Sequence, residues 1–333
     1  MHLARFPRVR FAHLPTPLEP MPNLTRLLGG PTLYVKRDDC TGLATGGNKT
    51  RKLEFPVADA LEQGADTLVT HGAVQSNHVR QTAAAACHFG LRCEALLEHR
   101  VPTNDPAYEA SGNVLFDRMF GASLRHVPAA TDMDAACADL VEEIKGRGGR
   151  PYYIPGGGSN AIGALGYVNA ALELLVQAND LGLRVDCVVH GTGSTGTQAG
   201  LVAGFEGANS GIDVLGISVR QPRDRQEAAV LKTASATAEH LGIHGAIDPA
   251  RVVASGDYVG EGYGIPAEST LEAIDLAARQ EGLLLDPVYS GKGMAGLIAL
   301  CRKGYFSEGE NVVFLHTGGQ AALFAYERQL AQA

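Results

Sequence analysis

Short apolar runs alternating with stretches of helical periodicity predict an α/β protein built on mainly parallel sheets. Three observations carry this expectation. The runs TLYVKRD, DTLVTHG, CEALLE, PYYIP, VDCVVHG, DVLGISV and NVVFLHT are short and rich in β-branched or apolar residues, as strands buried on both faces are. Between most of them apolar residues recur at helical spacing, as at Leu53, Val57 and Leu61, and strand–helix–strand alternation is the pattern of parallel pairing. The chain has 333 residues, more than one core usually holds at about 150 residues per domain, so two domains are expected.

Taken in order, the N-terminal MHLARFPRVRFAHLPTPLEP is broken by charges and prolines and lacks the apolar core of a signal peptide. After the first run comes TGGNKTRKLEF, residues 45–55. A Gly-Gly turn lets the backbone approach a ligand closely, and Lys49 and Lys52 share a face of the helix that follows. One amine is placed to attack a carbonyl, which requires it to be close and partly desolvated, while the other meets a phosphate. The structural alternative is a solvated first turn. Pro56 implies a kink or a later start for this helix.

THGAVQSNHVRQTAAAA, residues 70–86, reads as a strand end, a polar turn and an alanine-rich helix. Ser76, Asn77 and His78 at its start suit a carboxylate or phenolate oxygen, with a plain N-cap as the alternative. The glycine-rich PYYIPGGGSNAIGALGY, residues 151–167, is suited to carry the chain between lobes. One lobe is therefore expected at about 50–160, with a ligand cleft between it and the remainder.

VVHGTGSTGTQAG, residues 188–200, is an apolar strand, a Gly/Ser/Thr turn and a helix start, an anion nest suited to phosphate. Gly191, Gly193 and Gly196 also satisfy GxGxxG, but a dinucleotide site expects an acidic residue about 20 positions on. DVLGISVR ends instead in Arg220, which disfavours NAD and leaves NADP. No GK[ST] ending follows, which removes the usual nucleotide triphosphate reading. A phosphate monoester fits better. Downstream, GEGYGIPAE and LLLDPVYSGKGMAG place Tyr263 and Tyr289 in loops, and VVFLHTGGQAALFAY ends a strand at Thr317 before a Gly-Gly turn.

Net charge is −8 and no cluster of five Lys/Arg occurs, which argues against nucleic acid and anionic membranes as partners. No run approaches about 18 consecutive apolar residues, so a cytoplasmic protein acting on a small molecule is expected. Cys40, Cys87, Cys93, Cys137, Cys187 and Cys301 lack paired metal-site spacing and read as small buried hydrophobes, with no metal expected.

With these segments in place, the chain resembles the fold-type II pyridoxal-phosphate enzymes, in the group of 1-aminocyclopropane-1-carboxylate (ACC) deaminase, D-cysteine desulfhydrase and L-cysteate sulfo-lyase. The matching passages are PTPLEPMPNL, VKRDDCTGLATGGNKTRKLEF, GAVQSNHVRQTAAAA, PGGGSNAIGALGY, GTGSTGTQAGL, GYGIP, LDPVYSGKGMAGL and LHTGGQAALFAY, spanning nearly the whole chain. The resemblance implies two open twisted, mainly parallel sheets in a tryptophan synthase β-like architecture. Residues 1–49 and 161–333 would form a larger cofactor-binding domain and 50–160 a smaller one, in a homodimer or larger assembly. It also implies pyridoxal 5'-phosphate bound covalently by Lys49. Lys52 and the turn Gly193, Ser194, Thr195, Gly196 and Thr197 would hold the phosphate, Asn77 the phenolic oxygen and Thr317 the pyridine nitrogen. Ser76 would take the substrate carboxylate, with Tyr263 and Tyr289 flanking the substrate.

Within that group, the deaminase type has a glutamate where this chain has Ser290, and a neutral ring partner weakens the electron sink that cyclopropane opening needs. MHLARFP, KRDDCTGLA, YVNAALELLVQANDLGL, GISVRQP and HTGGQA are most similar to L-cysteate sulfo-lyase. The implied reaction is β-elimination of L-cysteate to pyruvate, sulfite and ammonia, with D-cysteine desulfhydrase as the alternative. A sulfonate needs charge-assisted donors, for which Arg220 is nominated first and His78 second. A phosphate-ligand sensor and an NADP-dependent oxidoreductase are the readings outside this chemistry.

Overall fold

The computed structural model describes residues 2–331. Its strands are β1 (Leu18–Pro20), β2 (Thr32–Lys36), β3 (Thr67–Ala73), β4 (Arg92–Glu98), β5 (Ser123–Val127), β6 (Pro151–Tyr153), β7 (Cys187–Thr192), β8 (Asp213–Ser218), β9 (Val253–Ser255) and β10 (Asn311–Leu315). The helices are α1 (Pro22–Leu28), α2 (Asn48–Glu62), α3 (Asn77–His88), α4 (Pro106–Ala110), α5 (Gly112–Met119), α6 (Met133–Gly146), α7 (Ala161–Leu181), α8 (Gly196–Gly207), α9 (Arg223–Leu241), α10 (Glu268–Glu281), α11 (Ser290–Arg302) and α12 (Glu327–Leu330).

Two sheets result. The larger has the order β1-β2-β10-β7-β8-β9 and the smaller β5-β4-β3-β6; every pairing is parallel except β1 with β2. Alternate residues of the larger sheet enter different cores. Val35, Val189, Ile217 and Phe314 pack against α11 on one side, and Val188, Val214, Val313 and Leu315 face α7 and α8 on the other. In the smaller sheet Leu68 packs towards α3, and Val69 and Leu96 pack towards Leu140 and Ile144 of α6. Helices on both faces explain why the central strands are apolar runs rather than alternating ones.

Helix α2 joins the two sheets. It begins at Asn48, directly after Gly47, and continues through Pro56, so the later start expected from that proline is corrected. A buried ion network fixes it to the larger sheet. Arg51 Nε donates to Asp38 Oδ2 at 2.8 Å, Arg51 Nη2 pairs with Glu173 of α7 at 2.8 Å, and Lys36 Nζ reaches the same carboxylate at 2.6 Å. Gly166 of α7 permits the close approach, because a Cβ there would fall 2.3 Å from the Arg51 carbonyl oxygen. Helix α7 is long and apolar enough to cross a membrane by length and composition alone, yet 56% of its apolar window is buried within the protein. Four cysteines are buried as expected, whereas Cys40 and Cys87 are exposed.

Candidate active site

A cavity of about 230 Å³ lies where the carboxyl ends of both sheets meet. Segments following β3, β4, β6, β7, β8 and β10 supply Ser76, Arg100, Gly157, Ser194, Arg220 and Thr317 to its wall, the position at which open α/β sheets present ligands. Of the residues expected from the sequence, Lys49, Ser76, Asn77, His78, Gly193, Ser194, Thr197, Arg220, Tyr263, Tyr289 and Thr317 all line it. Lys52 and Gly196 sit just behind, with Lys52 Nζ 3.1 Å from where a Cβ on Gly196 would be. Thr195 departs from expectation: its hydroxyl turns to Thr233 of α9 at 2.7 Å, so only its backbone belongs to the turn.

Both lysines are buried in the opening turns of α2, Lys49 at 8% exposure and Lys52 at 0%, which corrects the solvated alternative. Lys49 Nζ donates to Asn48 Oδ1 at 3.1 Å, and burial pulls its pKa down to about 8 despite the raising influence of Asp286. Lys52 Nζ donates to the Gly157 carbonyl at 3.0 Å, and burial, then Lys49, hold it well below the ordinary lysine range. Among the described residues neither has a carboxylate within ion-pair distance. A buried cation without a counter-charge is costly. Here two of them face a glycine turn and the N-terminus of α8, which fits a phosphate.

The start of α3 works differently from expectation in one respect. Ser76 is both the N-cap, accepting from Val79 N at 3.2 Å, and a cavity residue; its hydroxyl proton stays available to a carboxylate. Asn77 Oδ1 accepts from Arg80 Nη1 at 3.0 Å and from Asn113 Nδ2 at 3.1 Å, which leaves the amide NH₂ as the group offered to the cavity. Arg80 is itself buried and donates to Asn113 Oδ1 at 2.7 Å and to the Gly46 carbonyl at 2.7 Å. It thereby ties Asn77 to the turn before Lys49.

His78 lines the cavity as expected. Its Nε2 lies 2.8 Å from Thr70 Oγ1, and its Nδ1 is buried without a partner among the described residues. Burial holds its pKa well below the ordinary value. A neutral ring supplies no charge to a sulfonate, so Arg220 is the stronger of the two nominations.

The tyrosines meet. Their hydroxyls are 2.7 Å apart and their rings cross at 76° with centroids 5.8 Å apart. Burial pushes Tyr263 well above the ordinary tyrosine range. Tyr289 is also raised by burial, but its hydrogen bond with Tyr263 and the nearby Arg100 oppose that rise. Both phenols therefore stay protonated, and either hydroxyl can donate across the 2.7 Å contact while the other's proton faces the cavity. Ser290 is buried against Asp286, its hydroxyl donating to Oδ1 at 2.6 Å, and Thr317 lines the cavity while its carbonyl accepts from Asn48 N at 3.0 Å.

Sequence reasoning missed Arg100, whose guanidinium lies 5.6 Å from the Tyr263 ring centroid and pairs with Glu98. The signal was present, since Arg100 follows a strand end as Arg220 does. It also read Gly156 and Gly157 as a connection, whereas both form the wall. At Gly157, with φ +72°, a Cβ would strike Ser194 Oγ at 2.3 Å.

The donor set therefore fits pyridoxal 5'-phosphate: an amine of lowered pKa for its aldehyde, a cationic nest for its phosphate, and amide and hydroxyl donors for its ring. The comparisons with known proteins agree. The family model of the pyridoxal-phosphate dependent enzymes matches residues 9–318. A D-cysteine desulfhydrase of Salmonella typhimurium is 46% identical over 325 residues, 98% of each chain. A crystal structure described as an ACC deaminase homologue superposes with a TM-score of 0.90 at 38% identity, covering 99% of this chain and 97% of that one. A threonine deaminase from T.th., with a TM-score of 0.66 at 20% identity over 91% of this chain and 92% of its own, shares the fold. The two mostly parallel sheets flanked by helices are those of fold type II, and the chain belongs to the pyridoxal-phosphate-dependent enzyme family.

Proposed function

We propose that the protein breaks the carbon–sulfur bond of a small cysteine-derived amino acid by β-elimination, with D-cysteine as substrate and sulfide as the leaving group. The expected preference for L-cysteate gives way here, because the 46% relative spanning 98% of the chain is named a D-cysteine desulfhydrase. The observation that carries the reaction type is the placement of the Lys49 amine and the Tyr263–Tyr289 pair on one cavity of about 230 Å³.

Pyridoxal 5'-phosphate, when bound, supplies the electron sink that makes the Cα–H bond labile. Lys52 and the N–H groups from Gly193 to Thr197 would hold its phosphate, the Asn77 amide its phenolic oxygen and the Thr317 hydroxyl its ring nitrogen. Lys49, buried at the start of α2, would be the amine that holds its aldehyde carbon. With a pKa near 8, a useful fraction of the free amine is neutral at physiological pH, ready to take the Cα proton. Ser76 and the α3 N-terminus orient the carboxylate. The Tyr289 hydroxyl, held by Tyr263, gives a proton to the departing sulfur. With one water consumed, D-cysteine yields pyruvate, ammonia and sulfide.

A second reading, sulfite from L-cysteate, draws support from Arg220. Its guanidinium lies on the cavity with no side-chain hydrogen bond among the described residues, and Arg100 adds a second positive charge nearby. ACC opening is disfavoured by Thr317 as a neutral ring partner. The domain division at residues 49/50 and 160/161 and a homo-oligomeric state, to be measured by light scattering, belong to the same proposal.

The experiment is release of sulfide, sulfite and pyruvate from the purified enzyme given D-cysteine or L-cysteate. Sulfide from D-cysteine at the higher kcat/KM supports the primary reading. Sulfite from L-cysteate, abolished in Arg220→Gln, replaces it with the second, and pyruvate from neither substrate refutes both.

A further inference from the structure

Lys292 breaks two local rules at once. It is the third residue of α11, in the first turn, where the helix dipole disfavours a cation. Its residue is 0% exposed, and no carboxylate lies within ion-pair distance of it among the described residues. The nearest negative group, Asp286, accepts from the backbone N–H of Val288, Tyr289 and Ser290 and from the Ser290 hydroxyl. Sequences that violate local preferences without a stabilising return usually do so for function.

The ammonium ends instead on two carbonyls of one loop, Val259 O at 2.5 Å and Gly262 O at 2.7 Å. That loop joins β9 to α10 and carries Tyr263 as its next residue. Gly260 and Gly264, at φ +67° and +74°, flank the segment and give it little backbone stiffness of its own. Burial pulls Lys292 down to about 8, and both the charged and neutral amine donate to carbonyls.

We propose that Lys292 is a positioning residue that sets Tyr263 against Tyr289. One helical turn would then place both phenols: Tyr289 caps α11 directly, and Lys292, three residues on, tethers the loop bearing Tyr263, giving the 2.7 Å contact between hydroxyls. Without the tether the partly exposed loop turns its carbonyls to water and Tyr263 drifts from its partner. Substrate binding through Ser76 and the α3 N-terminus is untouched. A displacement of about 1 Å in such a group is enough for about a 100-fold loss of rate. The inference rests on the reading that the tyrosine pair manages the leaving group's proton.

The test is a double-mutant cycle between Lys292→Met and Tyr263→Phe on the cofactor-loaded enzyme, using whichever of D-cysteine and L-cysteate it turns over. Lys292→Met is expected to keep the visible absorbance of the bound cofactor, lower kcat about 10- to 100-fold, and leave KM within about twofold. Adding Tyr263→Phe to it should cost little more. An unchanged kcat in Lys292→Met while Tyr263→Phe alone lowers it, or fully additive losses, would overturn the inference. An unchanged kcat in Tyr263→Phe instead sinks the tyrosine reading, and the tether with it. Should Lys292→Met fail to fold, Lys292→Gln, polar and one bond shorter, carries the same non-additivity test with a smaller loss in kcat.

Discussion

Replacing Lys52 with methionine separates the charge it brings to the fold from the charge it brings to the ligand. Lys52 is 0% exposed, and its one close acceptor is the Gly157 carbonyl at 3.0 Å; the Ser159 hydroxyl is at 3.5 Å. In the cofactor-free protein, removing a buried amine already held well below the ordinary lysine range relieves only part of the cost of burying an ion, while orphaning the Gly157 carbonyl costs about 1–3 kcal/mol. The two terms oppose and nearly cancel, so Lys52→Met should melt close to the parent.

In the loaded enzyme the cancellation ends. Truncating one partner of a buried charge pair costs about 2–5 kcal/mol, or about 30-fold to several thousand-fold in Kd at about 1.4 kcal/mol per decade. The chain has no tryptophan, so the visible absorbance of the bound cofactor is the reporter for an equilibrium titration. Because Lys49 is present in both proteins, its covalent contribution cancels in the ratio. A change in Kd below about threefold would mean that Lys52 does not meet the phosphate and that the nest has been misread.

Lys49 carries a pH signature. Its folded pKa of about 8 lies below the ordinary 10.5, so between those values the unfolded chain holds a proton that the folded chain has released. The stability of the cofactor-free protein should therefore rise with pH across that window, by at most about 1.4 kcal/mol per unit, and Lys49→Met, measured by denaturant melts, should lose that slope along with the bound chromophore. Tyr289→Phe should keep the chromophore but lower kcat about 100-fold or more in steady-state assays, the usual worth of a positioned acid. In Gly72→Ala the new Cβ falls 2.3 Å from Ser76 Oγ, displacing the carboxylate ligand; KM should rise about tenfold, with the smaller effect on kcat.

What was legible in the sequence follows from where each residue's partners lie. The seven apolar runs became β2, β3, β4, β6, β7, β8 and β10, because strands with helices on both faces write their burial into consecutive residues. The strands missed, β1, β5 and β9, are all edges. SLRHV of β5 is mostly exposed or half-buried and has one neighbour to pair with, so it carries no apolar signature. Lys49 was legible through its glycine turn. Arg80 and Asn113, which orient Asn77, were not: the pair comes from two helices and lies 33 positions apart, and nothing local marks an arginine as buried. Lys52 was expected at a phosphate, with a solvated first turn as the alternative, and only the fold shows its ammonium wholly out of solvent.

The charges around the cavity do not balance within the protein. Lys49, Lys52, Arg80 and Lys292 are all buried there, in a chain whose net charge is −8. Against them stand Asp117 and Asp286, with buried Glu98 already paired to Arg100. Asp117 is pushed up to about 8 by its own burial and so is largely protonated at neutral pH, and Asp286 turns its oxygens to the start of α11. Burial lowers Lys49 and Lys292 to about 8 and holds Lys52 well below the ordinary range, so the cofactor-free interior sheds part of this charge, and a phosphate and a substrate carboxylate would restore it. The positions agree with the total. Lys52 stands at the phosphate turn and Arg80 behind the amide of Asn77, while Lys292 lies beneath the tyrosines, so the excess is spread along the length of a phosphorylated ring and its amino-acid substrate. A site for phosphate alone would concentrate its cations at the turn. This distribution supports an enzyme over a phosphate-ligand sensor.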